Sequence, residues 1–333
     1  MTSTESFSLL DAGAVEMLSG ARHIVVLGTG GTIAGAASDP GDNVGYTAGQ
    51  VAVGQLLDAV PALRRKVEAG WTIESEQVAQ VDSKDMGHAV WRRLADRVHH
   101  HLLRSEVDGI VVTHGTDTLE ETAYLLQRVL APGKPVVFTA AMRPATSAQP
   151  DGPQNLADAV TVAAAAGACG VVAVLAGKVW LGTEVRKVHP YRLDAFDAGD
   201  AGPLAHVEEG RLRRLREWPT GSALGLQVLA ADIWPEVQVV VSHAGADGRV
   251  VDLLMEAGVQ GLVVAATGNG TVHQDLQAAL LRAQAAGVAV VRALRGGAGC
   301  IVPTGHELVP DAGALTAAQA RVEILLRLLS RRA

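Results

Sequence analysis

Residues Gly109 to Tyr124 read GIVVTHGTDTLEETAY, a buried strand, a polar turn and a helix start with no residue to spare. Ile110, Val111 and Val112 form the short β-branched run expected of a parallel strand covered on both faces. Gly115 breaks the run. Thr118 and Glu121 have the spacing of a capping box, and Leu119, Ala123, Leu126 and Leu130 recur at helical spacing behind it, so a helix is expected from Leu119. Thr116 and Asp117 then fall at the carboxyl end of a strand and just before a helix N-terminus. Open α/β sheets place their ligands there, where backbone N–H groups favour negative charge. The same residue types also serve as plain turn and cap groups, so this segment alone leaves both readings open.

A second strand and turn resemble the first. His23 to Leu27 (HIVVL) runs into GTGGTIAG, Gly28 to Gly35. The dinucleotide fingerprint fails here: counted from Gly28 and Gly30, its third glycine position is Ile33, and no acidic residue closes a second strand about 20 residues on. The glycines instead permit close backbone approach and deliver two hydroxyls, Thr29 and Thr32, with Thr32 the candidate nucleophile. The next stretch, Ala37 to Gly49 (ASDPGDNVGYTAG), has little to hold it rigid and reads as a mobile lid carrying Tyr46, or as an ordinary surface loop.

The remaining elements alternate. Val51 to Val60 has a helix pattern stopped by Pro61, Trp71 to Val78 a strand pattern, and VDSKDM (Val81 to Met86) is another polar turn. Val90 to Leu103 is amphipathic, and its His99, His100 and His101 point in different directions and read as a solvated face. Pro135 to Thr139 is a strand ending in AAMRP, Thr146 to Asn155 a loop, Leu156 to Ala166 a helix and Val171 to Ala176 a strand. Lys187 lies in the polar segment WLGTEVRKVH, and spacing alone does not single it out. Near Arg211 the texture turns charged and then Pro/Gly-rich, the mark of a linker. Beyond it, strands at Val237 to Ser242, Gly261 to Ala266 and Val288 to Arg292 alternate with helices at Val250 to Ala257, His273 to Ala286 and Thr316 to Leu329, the last capped by Thr316 and Gln319. The expected fold is α/β: two parallel-sheet domains, a larger one over residues 1–210 and a smaller one over 232–333, joined by a linker over 211–231.

The 333 residues, 48% of them hydrophobic, suffice for two cores, and a net charge of −7 gives no basic footprint for nucleic acid. Cys169 and Cys300 are too few and too scattered for a disulfide framework or a thiolate metal site. Ala159 to Gly177 is uncharged over about a bilayer's length, but Gly167 and Gly170 interrupt it, so helix, turn and strand fit better than a membrane span. The first 23 residues carry early acidic groups and no apolar run of signal-peptide length. A cytoplasmic protein that acts on a small molecule is expected.

Two Gly-Thr turns at two strand ends, with neither a Walker lysine nor a Cys/His metal set, point to nucleophilic acyl chemistry. A threonine hydroxyl needs an activator, and Tyr46, Lys187 and Asp117 are available. Backbone N–H groups at the glycines could meet a developing oxyanion, typically worth about 3 kcal/mol per donor.

GTGGTIAG, VDSKDM, VVTHGTDTLEETAYLL, AAMRP with DGPQN, and ATGNG, in this order, resemble the bacterial L-asparaginase family, threonine amidohydrolases that include the glutaminase-asparaginases. The resemblance runs from His23 to the last helix. It implies that Thr32 is the nucleophile with Tyr46 as the lid tyrosine beside it, that Thr116 and Lys187 assist attack and water activation, and that Asp117 binds the substrate's α-ammonium group. It further implies that Ser83 holds the α-carboxylate, that the Ala141 carbonyl faces the leaving nitrogen, and that Asn269 is lent to a neighbouring subunit of a homotetramer with its sites at subunit interfaces. The implied reaction is hydrolysis of L-asparagine to L-aspartate and ammonia, with no metal or organic cofactor.

Two departures stand out. Lys84 replaces a common glutamine, and a cation beside the α-ammonium site costs affinity unless it is turned away or paired. The stretch RALRGGAGCIVPTGHELVPD is shorter and more glycine-rich than the family segment that lends a Glu to the adjacent subunit, which leaves Glu307 unassigned. The rival readings are a glutaminase-asparaginase or hydrolase of a related amide, a nicotinamide oxidoreductase disfavoured by the glycine spacing, and a non-catalytic amino-acid-binding protein.

Overall fold

A computed structural model describes residues 15–16 and 20–332; most of the N-terminal stretch read above for targeting lies outside them. The larger domain is built from β1 (Val15–Glu16), β2 (His23–Gly30), α1 (Val53–Asp58), α2 (Pro61–Glu68), β3 (Thr72–Val81), α3 (His88–Leu102), β4 (Gly109–Thr113), α4 (Leu119–Leu130), β5 (Pro135–Thr139), α5 (Gly152–Ala163), β6 (Gly170–Leu175), β7 (Lys178–Leu181), β8 (Arg186–Lys187), β9 (Phe196–Asp197), β10 (Ala205–Glu208) and β11 (Arg211–Arg214). The smaller one holds β12 (Val237–Val241), α6 (Arg249–Glu256), β13 (Gly261–Ala266), α7 (Gln274–Ala285), β14 (Ala289–Leu294), β15 (Asp311–Thr316) and α8 (Ala317–Ser330).

The large sheet runs β1-β11-β10-β7-β6-β5-β4-β2-β3. Its five strands from β6 to β3 are parallel, and β7, β10, β11 and β1 extend it antiparallel. Alternation along β2 divides the core between the two faces: Val25 and Leu27 pack toward α3 and α4, Ile24 and Val26 toward α1 and α5. The small sheet, β12-β13-β14-β15, is parallel throughout. Helix α8 joins the two domains into one core, since Val322, Leu325, Leu326 and Leu329 bury against the same cluster as Leu125, Leu126 and Val129 of α4.

Several elements differ from the sequence reading. Pro61 does not merely end a helix; it occupies the first turn of α2, where its missing N–H costs nothing. Helix α5 likewise begins at Gly152 with a proline in its first turn, four residues before the expected start. The expected linker over 211–231 opens with β11, which pairs with β10 and buries Leu212. The strand β15 was not expected, because Asp311 to Thr316 carries no β-branched run and is placed by β14 beside it. His101 is not on a solvated face: it is 5% exposed, with Nε2 2.9 Å from Glu76 Oε2. Ala159 to Gly177 is the end of α5, a turn and β6, and no described helix is long and apolar enough to cross a membrane.

Candidate active site

Three turns meet at the carboxyl ends of β2, β3 and β4, and glycine permits the meeting. A Cβ on Gly30 would lie 2.7 Å from the Val81 backbone nitrogen, and one on Gly31 would overlap the backbone of Gly115. A Cβ on Gly115 would in turn lie 2.6 Å from the Ser83 Cβ. Gly30 and Gly31 also have φ of 103° and 81°, a region that disfavours side chains. The backbone thus brings the Thr32, Ser83 and Thr116 turns within contact of one another.

Of the two hydroxyls on the first turn, Thr29 is spent on structure, donating to the Thr113 carbonyl at 2.9 Å. Thr32 Oγ1 instead lies 2.6 Å from the Tyr46 hydroxyl. Burial pushes the Tyr46 phenol above its ordinary range, partly offset by its bond to Thr32, so it is protonated at neutral pH. The segment carrying Tyr46 is held more firmly than its composition implies. Ala36 and Thr47 pair backbone to backbone at 2.9 and 3.0 Å, Asp42 caps the N–H groups of Val44 and Gly45, and Asn43 meets Ser147 at 2.7 Å.

On the third turn Lys187 Nζ donates to Thr116 Oγ1 at 2.9 Å and to Asp117 Oδ1 at 2.6 Å. Thr116 and Ser83 are buried, while the Asp117 side chain is 50% exposed. Ser83 Oγ accepts the Asp117 N–H at 3.1 Å. The expected capping box on α4 does not form. Thr118 Oγ1 donates to the Ser83 carbonyl at 2.8 Å, so the cap hydroxyl ties two turns of the site together. Behind them His114 is fully buried with its Nδ1 2.7 Å from the Gly115 carbonyl, and burial pulls it down to about 4, which keeps the imidazole neutral.

Ala141 is buried beyond β5 in a turn held by Asp151, whose carboxylate accepts the N–H groups of Met142 at 2.9 Å and Arg143 at 3.0 Å. Gly152 connects this turn to the first. A Cβ there would lie 2.9 Å from Ile33 Cγ1 and 3.5 Å from the Ala141 Cβ.

Lys84 and Asn269 are each held by local partners. Lys84 is exposed, and its ammonium lies between Asp82 (2.8 Å) and Asp85 (3.0 Å). It borders a crevice of about 580 Å³ between the domains, shared with Trp91, Glu121 and Arg321. Asn269 makes both amide bonds within the small domain, to the Val302 N–H (2.8 Å) and carbonyl (2.9 Å). Glu307 is likewise engaged locally by Thr304 and Gly305, whose backbone N–H groups hold it down at about 2. Among the described residues, no three His, Cys, Asp or Glu side chains converge as a metal site.

Sequence reasoning missed Glu120 and Asp151. Glu120 Oε2 accepts the backbone N–H of Lys187 at 2.8 Å, and Oε1 accepts from Thr316 Oγ1 at 3.2 Å. Burial raises its carboxyl, opposed by these two bonds and by Arg186. Its only sequence signal is a place in the first turn of α4, where an acidic residue is unremarkable.

Residues 23–220 match the family model "Asparaginase, N-terminal" and residues 236–331 the "Glutaminase/Asparaginase C-terminal domain". The chain is 37% identical to L-asparaginase 2 of Escherichia coli strain K12 over 85% of this chain and 79% of that protein. It is 33% identical to a glutaminase-asparaginase of Pseudomonas fluorescens biotype A over 90% and 83%. The crystal structure of a probable cytoplasmic L-asparaginase from Campylobacter jejuni superposes with a TM-score of 0.85 at 34% identity, covering 93% of this chain and 95% of that one.

Proposed function

The chain belongs to the asparaginase family, and on that premise we propose that it hydrolyses the side-chain amide of L-asparagine to L-aspartate and ammonia through an ester on Thr32. Family membership makes it an amidohydrolase. The observation that carries the mechanism is the 2.6 Å contact between Thr32 Oγ1 and the Tyr46 hydroxyl, set beside the Lys187–Thr116–Asp117 group.

Thr32 Oγ attacks the amide carbon. Because Tyr46 is protonated, it works as a relay, accepting the threonine proton while passing its own toward the leaving nitrogen. The C–N bond breaks, ammonia departs, and water then attacks the ester, returning a proton to Thr32 as aspartate leaves. Lys187 donates to Thr116 Oγ1, which aims the Thr116 proton away from the lysine and into the cleft. There it can donate to the reacting group, and in the second step orient water.

Substrate binding follows the same donor logic. The exposed Asp117 carboxylate offers its second oxygen to an α-ammonium group. Ser83 Oγ accepts from the Asp117 N–H and so keeps its own proton for an α-carboxylate, a charge that the N-terminus of α4 also favours. The Ala141 carbonyl, in the turn fixed by Asp151, is assigned to the leaving nitrogen. Lys84, neutralised by two aspartates and turned toward the crevice, is assigned no contact.

The finer assignments are a homotetramer in which Asn269 contributes to a neighbour's site, and a cytoplasmic location. Asn269 lies exposed on the small domain, which also exposes Val241, Val250 and Leu253 as apolar surface for a second copy. The cysteines are free, as in a reducing compartment. Sedimentation tests the assembly.

Glutamine is the nearest competing substrate, one methylene longer, a difference worth about 1 to 3 kcal/mol in a fitted pocket. Ammonia release from each amide by wild type and Thr32→Ala decides between them. Release from asparagine that is faster than from glutamine, and lost in the variant, is expected. Folded wild-type protein silent on both amides would reject the reading.

A further inference from the structure

Lys187 sits on a two-residue strand, β8, whose pairing with β9 is too short to fix a side chain by itself. The small domain supplies the missing restraint. Gln319, 1% exposed, donates through Nε2 to the Val185 carbonyl at 3.1 Å. Two residues on, the Lys187 N–H is held by Glu120, whose other oxygen is held by Thr316. Thr316 and Gln319 are also the reciprocal capping pair of α8, Thr316 Oγ1 accepting from the Gln319 N–H at 3.1 Å and Gln319 Oε1 from the Thr316 N–H at 3.2 Å. The N-terminus of α8 therefore grips the chain on both sides of Arg186.

We propose that Thr316, Gln319 and Glu120 are positioning residues that set the reach of the Lys187 ammonium to Thr116, so that the small domain takes part in catalysis by holding the large domain's lysine strand. The proposal rests on the role given to Lys187 above. Helix α8 also shares a core with α4, the helix that carries Glu120, so the cap is anchored to the same body as the carboxylate it holds. Of the two bonds on Glu120, the one from Thr316 spans the domains and the one from the Lys187 N–H anchors the strand. Both are to a partly buried carboxylate, where a hydrogen bond is stronger than in bulk water. A slackened cap would let the ammonium swing without removing any group that touches substrate, and small misplacements of an assisting group are costly to rate.

Thr316 permits a test that separates positioning from helix stability. Aspartate and asparagine cap helices about equally well, but only asparagine can donate to Glu120, whereas Thr316→Asp sets a second carboxylate against it. The expected result is that Thr316→Asp lowers kcat at least tenfold with KM changed less than about threefold, while Thr316→Asn stays within about threefold of wild type in both. Matched thermal midpoints for the two variants exclude a stability effect. Should Thr316→Asp destabilise the fold, Glu120→Gln and Glu120→Leu repeat the comparison, glutamine retaining the acceptor for the Lys187 N–H. Wild-type kcat in Thr316→Asp and in Glu120→Leu would overturn the positioning role if Lys187→Met is inactive. Full activity in Lys187→Met would instead overturn the role of the lysine and this proposal with it.

Discussion

Gly31 and Gly115 meet backbone to backbone: a Cβ on Gly115 would lie 3.2 Å from the Gly31 Cα, and one on Gly31 would overlap Gly115. The turns that carry Thr32 and Thr116, which follow different strands, are brought into contact because the residue before each threonine has no side chain. Gly31→Ala combines this overlap with a φ of 81° and should reduce kcat/KM by more than about 100-fold, with a loss of stability on the order of 2 kcal/mol. Gly133→Ala, where nothing lies within 4 Å of the added methyl, is the matched control and should leave activity unchanged. Steady-state kinetics and thermal unfolding of the pair check both.

Tyr46→Phe keeps the ring and removes only the hydroxyl 2.6 Å from Thr32. A proton relay contributes on the order of 100- to 10,000-fold. The variant should therefore lose kcat in that range with little change in KM, and a wild-type kcat would remove Tyr46 from the mechanism.

Lys84 lies between two aspartates and is largely exposed, a setting in which ion pairs contribute little. Lys84→Gln should change KM for asparagine by less than about threefold and leave kcat unaltered. A large fall in KM would show that the ammonium reaches the substrate.

Asp158 supplies a pH-dependent stability term. Burial pushes its carboxyl from 3.8 up to about 6, against one opposing bond from Gln154. Because the folded value is the higher, the native state favours the protonated form. That contribution is fully present below pH 3.8 and is lost as pH rises through about 6. Asp158→Asn should thus raise stability at pH 8 by about 3 kcal/mol and leave it near wild type at pH 4. Urea midpoints at the two pH values measure the difference, and equal gains at both would contradict the account.

The residues that face the proposed substrate were legible because they sit in polar turns at strand ends, where residue type and spacing carry the signal. Thr32 lies against Tyr46, and Thr116 and Asp117 share the Lys187 ammonium. Lys187 was legible only by resemblance, since a lone lysine in a polar segment has no spacing signature. The support behind these groups was not legible at all. Glu120 reads as an ordinary first-turn acid, and Thr316 and Gln319 as an ordinary cap, because the long-range bonds they make join residues 67 to 196 positions apart. Thr118 shows the converse. Its spacing to Glu121 fits a capping box, yet a nearby carbonyl on Ser83 claims the hydroxyl. Local pattern decides where a chain turns, and tertiary contact decides what the turn's side chains bind.

Mass analysis of enzyme quenched in acid during turnover of L-asparagine would trap the covalent ester on Thr32. The expected result is a mass gain of one asparagine less one ammonia, localised by proteolysis to the peptide bearing Thr32 and absent from Thr32→Ala. An adduct on the peptide bearing Thr116 would contradict it, as would undiminished ammonia release by Thr32→Ala.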